Sequence, residues 1–186
     1  MAEAFSNKLA RAVGIETSSS AGTVGVTTTK ISGISTGAVS VGDLIDNQHY
    51  IAGTKVATIG IGSVFADRDS TNTASASGQN VKFLGSTQVY VSPGGTKSII
   101  IGGTFANNTN NQVNLTIGVY DNSDAIESSI AQKIPVPAGS SFVISDAGKT
   151  LLEPNDGLRV YCDVDNAIDV NPVSYTHLTL PTILLV

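Results

Sequence analysis

The sequence is short of several residue types on which many functions depend. Among its 186 residues there is no tryptophan, one cysteine, one methionine and two histidines, and only 5% are aromatic. The single cysteine, Cys162, cannot form an intrachain disulfide, and too few Cys and His are present for a zinc site. The few aromatics argue against a carbohydrate-binding face of stacked rings, although Tyr90, Tyr120 and Tyr161 could lie on outer strand faces.

Charge is also scarce, and its balance is unfavourable for nucleic acid. Charged residues make up 13% of the chain, the net charge is −5, and the ten Lys and Arg residues are spread singly. Binding to phosphates needs clustered Lys and Arg. No run of about 20 apolar residues could span a membrane, and residues 1–20 lack the apolar core of a signal peptide. We therefore expect a protein made in a cytoplasm, with neither nucleic acid nor membrane as a partner.

Turn and strand residues dominate what remains. Gly, Ser, Thr and Asn together account for 72 of the 186 residues, a composition typical of strands and turns rather than of helices. The hydrophobic content of 41% is too high for a disordered acidic chain. The sequence therefore predicts an all-β protein and excludes an α-helical bundle.

The pattern along the chain divides it into four parts. Residues 1–20 form an N-terminal arm, in which the spacing of Phe5, Leu9 and Val13 indicates a helix, with an extended arm as the alternative. Residues 21–86 contain short strands with glycine breaks, which predict a small β module. Residues 87–171 contain eight strands with turns every 8–12 residues, which predict a β-sandwich of the jelly-roll or immunoglobulin-like kind.

The fourth part, residues 172–186, differs in character from the rest. The run VSYTHLTLPT at 173–182 back-translates as GTC TCT TAT ACA CAT CTG ACG CTG CCG ACG, which resembles the transposase end and adapter of fragment-library sequencing. Pro172, encoded as CCT, supplies the preceding CT of that adapter. We predict that 172–186 are translated adapter, which removes Tyr175 and His177 from any functional site; the alternative is a natural apolar strand.

Two stretches resemble proteins of tailed bacteriophages. The order Val41-Gly42-Asp43, then YIAGTKVATIG at 50–60, then a strand and a Ser/Thr/Asn/Ala-rich loop resembles a small β module of phage tail and fibre proteins. The runs PVPAGSSF at 135–142 and LLEPNDGLRVYCD at 151–163 are similar to the C-terminal β-domain of small virion structural proteins, especially those of marine myoviruses that infect cyanobacteria.

This resemblance implies a non-enzymatic virion component, associated with decoration, neck, tail or fibre. It would act by self-assembly and by contacts with other virion proteins, as a homo-oligomer, and would be located in the virion after assembly in the host cytoplasm. The alternative is a receptor-binding or glycan-binding fibre module that uses the loops at 67–78, 107–112 and 121–128.

The residues whose side chains could take part in catalysis or metal binding form no recognisable site. His49 is interpreted as a loop histidine beside Tyr50, since no G-x-S-x-G elbow accompanies it. Cys162 lies on the apolar face of an alternating strand and is expected in the core. Calcium is the metal alternative for two acidic clusters, but both lack the glycine and glutamate of an EF-hand loop. The clusters are Asp163, Asp165, Asn166 and Asp169, and Asp121, Asn122 and Asp124. The sequence thus predicts no catalytic, cofactor-binding or metal-binding residue.

The adapter interpretation is tested by resequencing the gene from an intact clone. We expect the codons that follow Asn171 to differ from those that encode PVSYTHLTLPT. An intact clone that still encodes this run would contradict the interpretation.

Overall fold

The computed structural model describes residues 3–145 and 149–177, and over these residues it is all-β, with no helix. No helix in the described part of the chain is therefore long and apolar enough to cross a membrane. The strands are β1 (Glu3–Asn7), β2 (Ala10–Val13), β3 (Ile15–Val24), β4 (Lys30–Ser32), β5 (Leu44–Asp46), β6 (Val56–Gly60), β7 (Ser63–Ala66), β8 (Ala76–Gly85), β9 (Thr87–Val91), β10 (Lys97–Asn107), β11 (Val113–Asp121), β12 (Ile126–Val136), β13 (Ser141–Ile144), β14 (Thr150–Leu152), β15 (Gly157–Cys162) and β16 (Ile168–His177).

These strands form three antiparallel sheets. Sheet I has the order β1-β16-β10-β13, and in addition β14 pairs with β10 and β2 with β16. Sheet II has the order β12-β11-β15-β9, and sheet III the order β5-β8-β3-β4-β7-β6. Sheets I and II form the predicted β-sandwich, and sheet III is the small β module that precedes most of it. The all-β expectation is confirmed.

The sandwich core lies between sheets I and II. It follows from period-two alternation, because every second side chain of a strand faces inward. In β11 the inward residues Val113, Leu115 and Ile117 are fully buried, and in β15 so are Leu158, Val160 and Cys162. Ile100 and Phe105 of β10 close the core from sheet I.

Sheet III has a core of its own. Its largest fully buried side chains are Phe83, Ile31 and Ile45. Tyr50 is also buried, and its hydroxyl donates a hydrogen bond to the Thr28 carbonyl at 3.1 Å. Burial, together with the negative charge of Asp69, raises the pKa of Tyr50 to about 12. The module is thus an independently packed layer.

The helix indicated for residues 1–20 is wrong, and the chain there is extended. β1 pairs with β16 over five residues, and β2 pairs with the same strand nearer its start. A spacing of four residues fits one helical turn, but it also equals two periods of a strand. Phe5 and Leu9 are more than 70% exposed and Val13 is buried, so the three residues never share an apolar face.

The last strand continues beyond the predicted adapter boundary. β16 runs from Ile168 to His177 and pairs with β10 along almost its whole length. Residues 173–177 also pair with β1. The residues on both sides of Pro172 therefore lie in one strand near the centre of sheet I.

The chain passes from the sandwich to sheet III at Gly14. This residue has φ +135° and its carbonyl accepts a hydrogen bond from the Asn166 N–H at 3.1 Å. A Cβ at this position would collide with the Val164 carbonyl oxygen. Glycine is required here because the crossing needs both the unusual φ and the close approach.

We expect Gly14→Ala to lower the free energy of unfolding by about 2–4 kcal/mol, because it adds backbone strain to a collision with backbone. Gly37→Ala is the control, since a Cβ added there would meet no atom within 4 Å and the φ of Gly37 is not positive. Urea unfolding of the two variants measures the difference. Equal stability of the two would contradict the assigned crossing.

Candidate interaction surfaces

The residues that could take part in catalysis or metal binding have structural roles. His49 lies in a loop, as expected: its N–H donates to Asn47 Oδ1 at 2.9 Å and its carbonyl accepts from the Thr71 N–H. Cys162 is fully buried in the sandwich core, which confirms its expected position. Burial raises the pKa of the Cys162 thiol to about 11, so the reactive thiolate is disfavoured.

The carboxylates of the first acidic cluster accept hydrogen bonds from different residues. Asp163 accepts two hydrogen bonds from Asn114, at 2.7 Å from its N–H and 2.7 Å from Nδ2. Asp165 accepts from the Glu16 N–H. Asp169 accepts from the Ala12 N–H at 2.9 Å. Each of them therefore fixes a different backbone segment.

The second cluster is a local turn. Asp121 Oδ1 accepts from the Ser123 hydroxyl and from the N–H groups of Ser123 and Asp124. These bonds, that of the Ser123 hydroxyl first, lower the pKa of Asp121. Within residues 3–145 and 149–177, no three His, Cys, Asp or Glu side chains are grouped as a metal site.

Two of the three tyrosines that could lie on outer strand faces are buried. Tyr90 is 5% exposed and its hydroxyl donates to Ser98 Oγ at 2.9 Å. Tyr161 is 1% exposed because sheet III covers it. Tyr120 is partly exposed, but the guanidinium of Arg159 lies 3.6 Å from the centre of its ring. Tyr161 thus lies on the outer face of sheet II, beneath sheet III, whereas Tyr90 faces the sandwich core.

Two of the loops assigned to glycan binding do not meet. The loop at 107–112 precedes β11 and the loop at 121–128 begins at its end. Nine residues of strand separate them by about 27 Å. The loop at 67–78 belongs to sheet III, between β7 and the first residues of β8. Residues of the first two loops therefore cannot contact the same small sugar in one copy of the chain.

A buried carboxylate joins sheet III to the outer face of sheet II. The side chain of Glu127, on β12, is 4% exposed. Its Oε2 lies 3.2 Å from Lys55 Nζ of the module and 3.3 Å from Arg159 Nη1 of β15. The Tyr161 hydroxyl donates to the same carboxylate at 2.9 Å, and burial, followed by the Glu127 charge, raises the pKa of Tyr161. We call Glu127, Lys55, Arg159 and Tyr161 the junction cluster.

Gly118 makes room for this carboxylate. It lies on β11 next to β12, and a Cβ there would collide with Glu127 Oε1. The absence of a side chain lets the Glu127 carboxylate lie flat on sheet II, within reach of both cations. A glycine inside a strand ordinarily weakens that strand, but here Gly118 is part of the junction.

Further contacts hold the same two layers together. Lys133 Nζ of β12 lies 2.7 Å from Asp46 Oδ1 of β5. Lys82 Nζ of β8 donates to the Asp163 carbonyl at 2.9 Å. Leu44 and Leu84 of sheet III pack on Tyr161 in a small apolar cluster. Apolar contact, hydrogen bonds and ion pairs together fix sheet III on sheet II.

A cavity of about 240 Å³ lies at the edge of this junction, with Asp43 and Arg159 among its lining residues. Asp43 is 8% exposed and its Oδ2 accepts from the Ser40 N–H at 2.7 Å. Burial raises the pKa of Asp43, and the bond from Ser40 opposes that rise. The cavity is smaller than the roughly 300–1,000 Å³ of most ligand pockets.

Apolar side chains lie together on part of the outer face of sheet I. Register places its residues: Ile99 opposes Leu151 and Tyr175, Tyr175 opposes Phe5, and Thr104 opposes Val143. Directly opposed residues point to the same side of a sheet. We call the following residues the apolar face: Ile99, Ile101, Val143 and Leu151. Phe5 and Tyr175 lie beside them, on β1 and on the predicted adapter part of β16.

The apolar face has both projections and hollows. Phe5, Val143 and Leu151 are 72%, 56% and 55% exposed. The rings of Phe5 and Tyr175 pack with their centres 5.0 Å apart. A hollow of about 370 Å³ is lined by Phe5, Ile99, Ile101, Tyr175 and Lys149. A second, of about 320 Å³, has Leu9 and Thr104 but also Arg11, Asp169 and Asn171 in its lining. The free face of an antiparallel sheet in water is ordinarily polar, and this one holds exposed apolar side chains among polar ones.

Comparison with known proteins gives no family. No family model matches the sequence, and no curated protein matches it. Among solved structures, the isomalto-dextranase of Arthrobacter globiformis T6 in complex with panose is similar at 13% identity with a TM-score of 0.24. That match covers 93% of this chain and 34% of the isomalto-dextranase, so the chain spans about a third of that protein.

The junction cluster predicts a large effect for one substitution. We expect Glu127→Gln to lower the free energy of unfolding by about 1–3 kcal/mol, because it leaves Lys55 and Arg159 without a buried counter-charge. Glu153→Gln is the control: its ion pair with Lys97 is short, 2.7 Å, but both side chains are more than half exposed, so we expect a loss of about 0–1 kcal/mol.

Urea unfolding followed by far-ultraviolet circular dichroism measures both variants. If Glu127→Gln costs no more than Glu153→Gln, the junction cluster does not hold the two layers together.

Proposed function

We propose that the protein is a non-enzymatic structural component of a tailed-phage virion, which acts through contacts with other protein surfaces. The apolar face of sheet I carries this proposal. Exposed apolar side chains such as Val143 and Leu151 are costly to leave in water, and they are stabilised when another protein covers them. The sequence resemblance of residues 37–85 and 135–163 to phage structural proteins supports a virion as the assembly.

The layering of the chain supports the same function. Sheet III covers the outer side of sheet II through the junction cluster, with Glu127 only 4% exposed. The module and the sandwich therefore present a fixed arrangement of surfaces. A component that works by shape needs this rigidity, because loose layers would lose conformational entropy on each assembly contact.

The acidic loops fit a structural role better than a ligand-binding one. Asp163, Asp165 and Asp169 each bind backbone N–H groups from a segment distant in sequence. Two of those bonds join the N-terminal strands to the loop before β16 and to β16 itself. The hydrogen-bonding capacity of these side chains is thus directed inward, to the fold.

Mass spectrometry of gradient-purified virions of the phage that carries the gene tests the proposal. We expect peptides of this chain in the particle fraction, at a fixed copy number relative to other particle proteins. The particle-free fractions of the same lysate serve as the control.

A chain that is abundant in the lysate but absent from the particles would overturn the proposal. Binding of the purified chain to a glycan array, combined with that absence, would favour the receptor-binding alternative instead.

A further inference from the structure

We propose that the cavity at the edge of the junction binds a small zwitterion, an α-amino acid with a short aliphatic side chain, between Asp43 of the module and Arg159 of the sandwich. This site is additional to the structural role and does not depend on it. The cavity lies where sheet III meets sheet II, since Asp43 directly precedes β5 and Arg159 belongs to β15. Boundaries between separately packed units are common places for ligand sites.

The sandwich side of the cavity carries an excess of positive charge. Arg159 forms its ion pair with Glu127 rather than with Asp43, at 3.3 Å, and Lys55 binds the same carboxylate at 3.2 Å. Two cations therefore share one carboxylate, which leaves the junction cluster with one positive charge in excess. An anionic group of a ligand would be attracted to this side of the cavity, because charges interact strongly where water is scarce.

The module side of the cavity carries the opposite charge in a buried position. Asp43 is 8% exposed, and its Oδ2 accepts a hydrogen bond from the Ser40 N–H at 2.7 Å. Burial raises the pKa of Asp43, and the opposing effect comes from that N–H group and not from a cation. An ammonium group of a ligand would supply the positive charge and up to three hydrogen-bond donors.

The size and the remaining lining of the cavity limit the ligand to a compact molecule. At about 240 Å³, the cavity has room for about eight water molecules at about 30 Å³ each, and hence for a molecule with about as many non-hydrogen atoms, such as alanine or valine. Ser40 and Ser86 add hydroxyl groups, and Ile15, Val41 and Phe83 add apolar surface for a short aliphatic side chain.

A ligand with a single charge, or with none, suits this cavity less well. An anion alone would be repelled by Asp43, and a cation alone would be repelled by the excess positive charge of the junction cluster. A neutral polyol could form hydrogen bonds on both sides but would compensate neither charge. A zwitterion compensates both sides and leaves the net charge of the cavity unchanged.

Isothermal titration calorimetry of the full chain with L-alanine tests the proposal, with acetate, ethylammonium and glycerol as comparison probes. We expect saturable binding of L-alanine, and binding of the three other probes that is weaker by about 10-fold or more, because each of them leaves at least one charged side of the cavity uncompensated. Since the ligand contacts both layers, we also expect L-alanine to raise the midpoint of thermal unfolding.

Asp43→Asn removes the negative charge but keeps an oxygen that can accept the hydrogen bond from Ser40. We expect it to weaken the binding of L-alanine by about 10-fold or more, because a hydrogen bond between two charged groups is among the strong ones. Asp46→Asn is the matched control: Asp46 lies on β5, pairs with Lys133 at 2.7 Å and is not among the residues that line the cavity. We expect its affinity for L-alanine to equal that of the unaltered chain.

Ala38→Leu is a second variant, which leaves both charged groups in place. Ala38 lines the cavity and is exposed, so a larger side chain there narrows the cavity without disturbing either core. We expect it to weaken the binding of L-alanine by about 10-fold, because the cavity then has less room for the ligand. Circular dichroism spectra of all variants establish that each is folded.

Four results would overturn the proposal. They are no binding of L-alanine to the unaltered chain, which would leave the cavity to water; binding of acetate, ethylammonium or glycerol as tight as that of L-alanine; unchanged affinity in folded Asp43→Asn or Ala38→Leu; and an equal loss of affinity in Asp46→Asn and Asp43→Asn. None of these results depends on whether the chain is found in virions, so the ligand site and the virion role fail separately.

Discussion

The arrangement of the three sheets depends on the buried carboxylate of Glu127. A carboxylate that is 4% exposed is very unfavourable unless it is paired and hydrogen-bonded. Arg159 and Tyr161 come from its own sheet, but Lys55 reaches it from the module, so all three partners surround the carboxylate only when sheet III lies on sheet II. Gly118 provides the space and Leu44 and Leu84 the apolar contact.

Much of the sandwich could be predicted from the sequence, because its strands follow period-two alternation. Val113, Leu115 and Ile117 alternate with polar residues and are buried, and Leu158, Val160 and Cys162 behave in the same way. Turn residues mark the strand ends equally well: Pro93, Gly94 and Gly95 lie between β9 and β10. The local sequence suffices to predict these strands and turns, because one side of each strand faces the core and the turns are short.

The junction could not be predicted, because the sequence pattern of a strand separates its two faces without telling what covers them. Arg159 and Tyr161 alternate with the core residues of β15, and such residues ordinarily face solvent. Here they face another layer of the same chain, and Tyr161 is among its most buried residues. Glu127 follows the exposed Ile126 near the start of an edge strand, and nothing in that local sequence indicates burial. Only the tertiary contact with Lys55, a residue 72 positions earlier in the chain, gives Glu127 its role.

Sheet I includes β16, the strand that contains the first residues of the predicted adapter. A ladder of backbone hydrogen bonds accepts any segment whose side chains alternate suitably. The run from Val173 to Thr176 meets that condition, with Ser174 inward and Tyr175 outward, so strand formation there is compatible with either origin of these residues. The apolar face depends less on that segment, because Ile99 and Ile101 belong to β10, Val143 to β13 and Leu151 to β14, all upstream of Pro172. A different final strand would replace the neighbour of β10 on one side but would leave these side chains directed to the same surface.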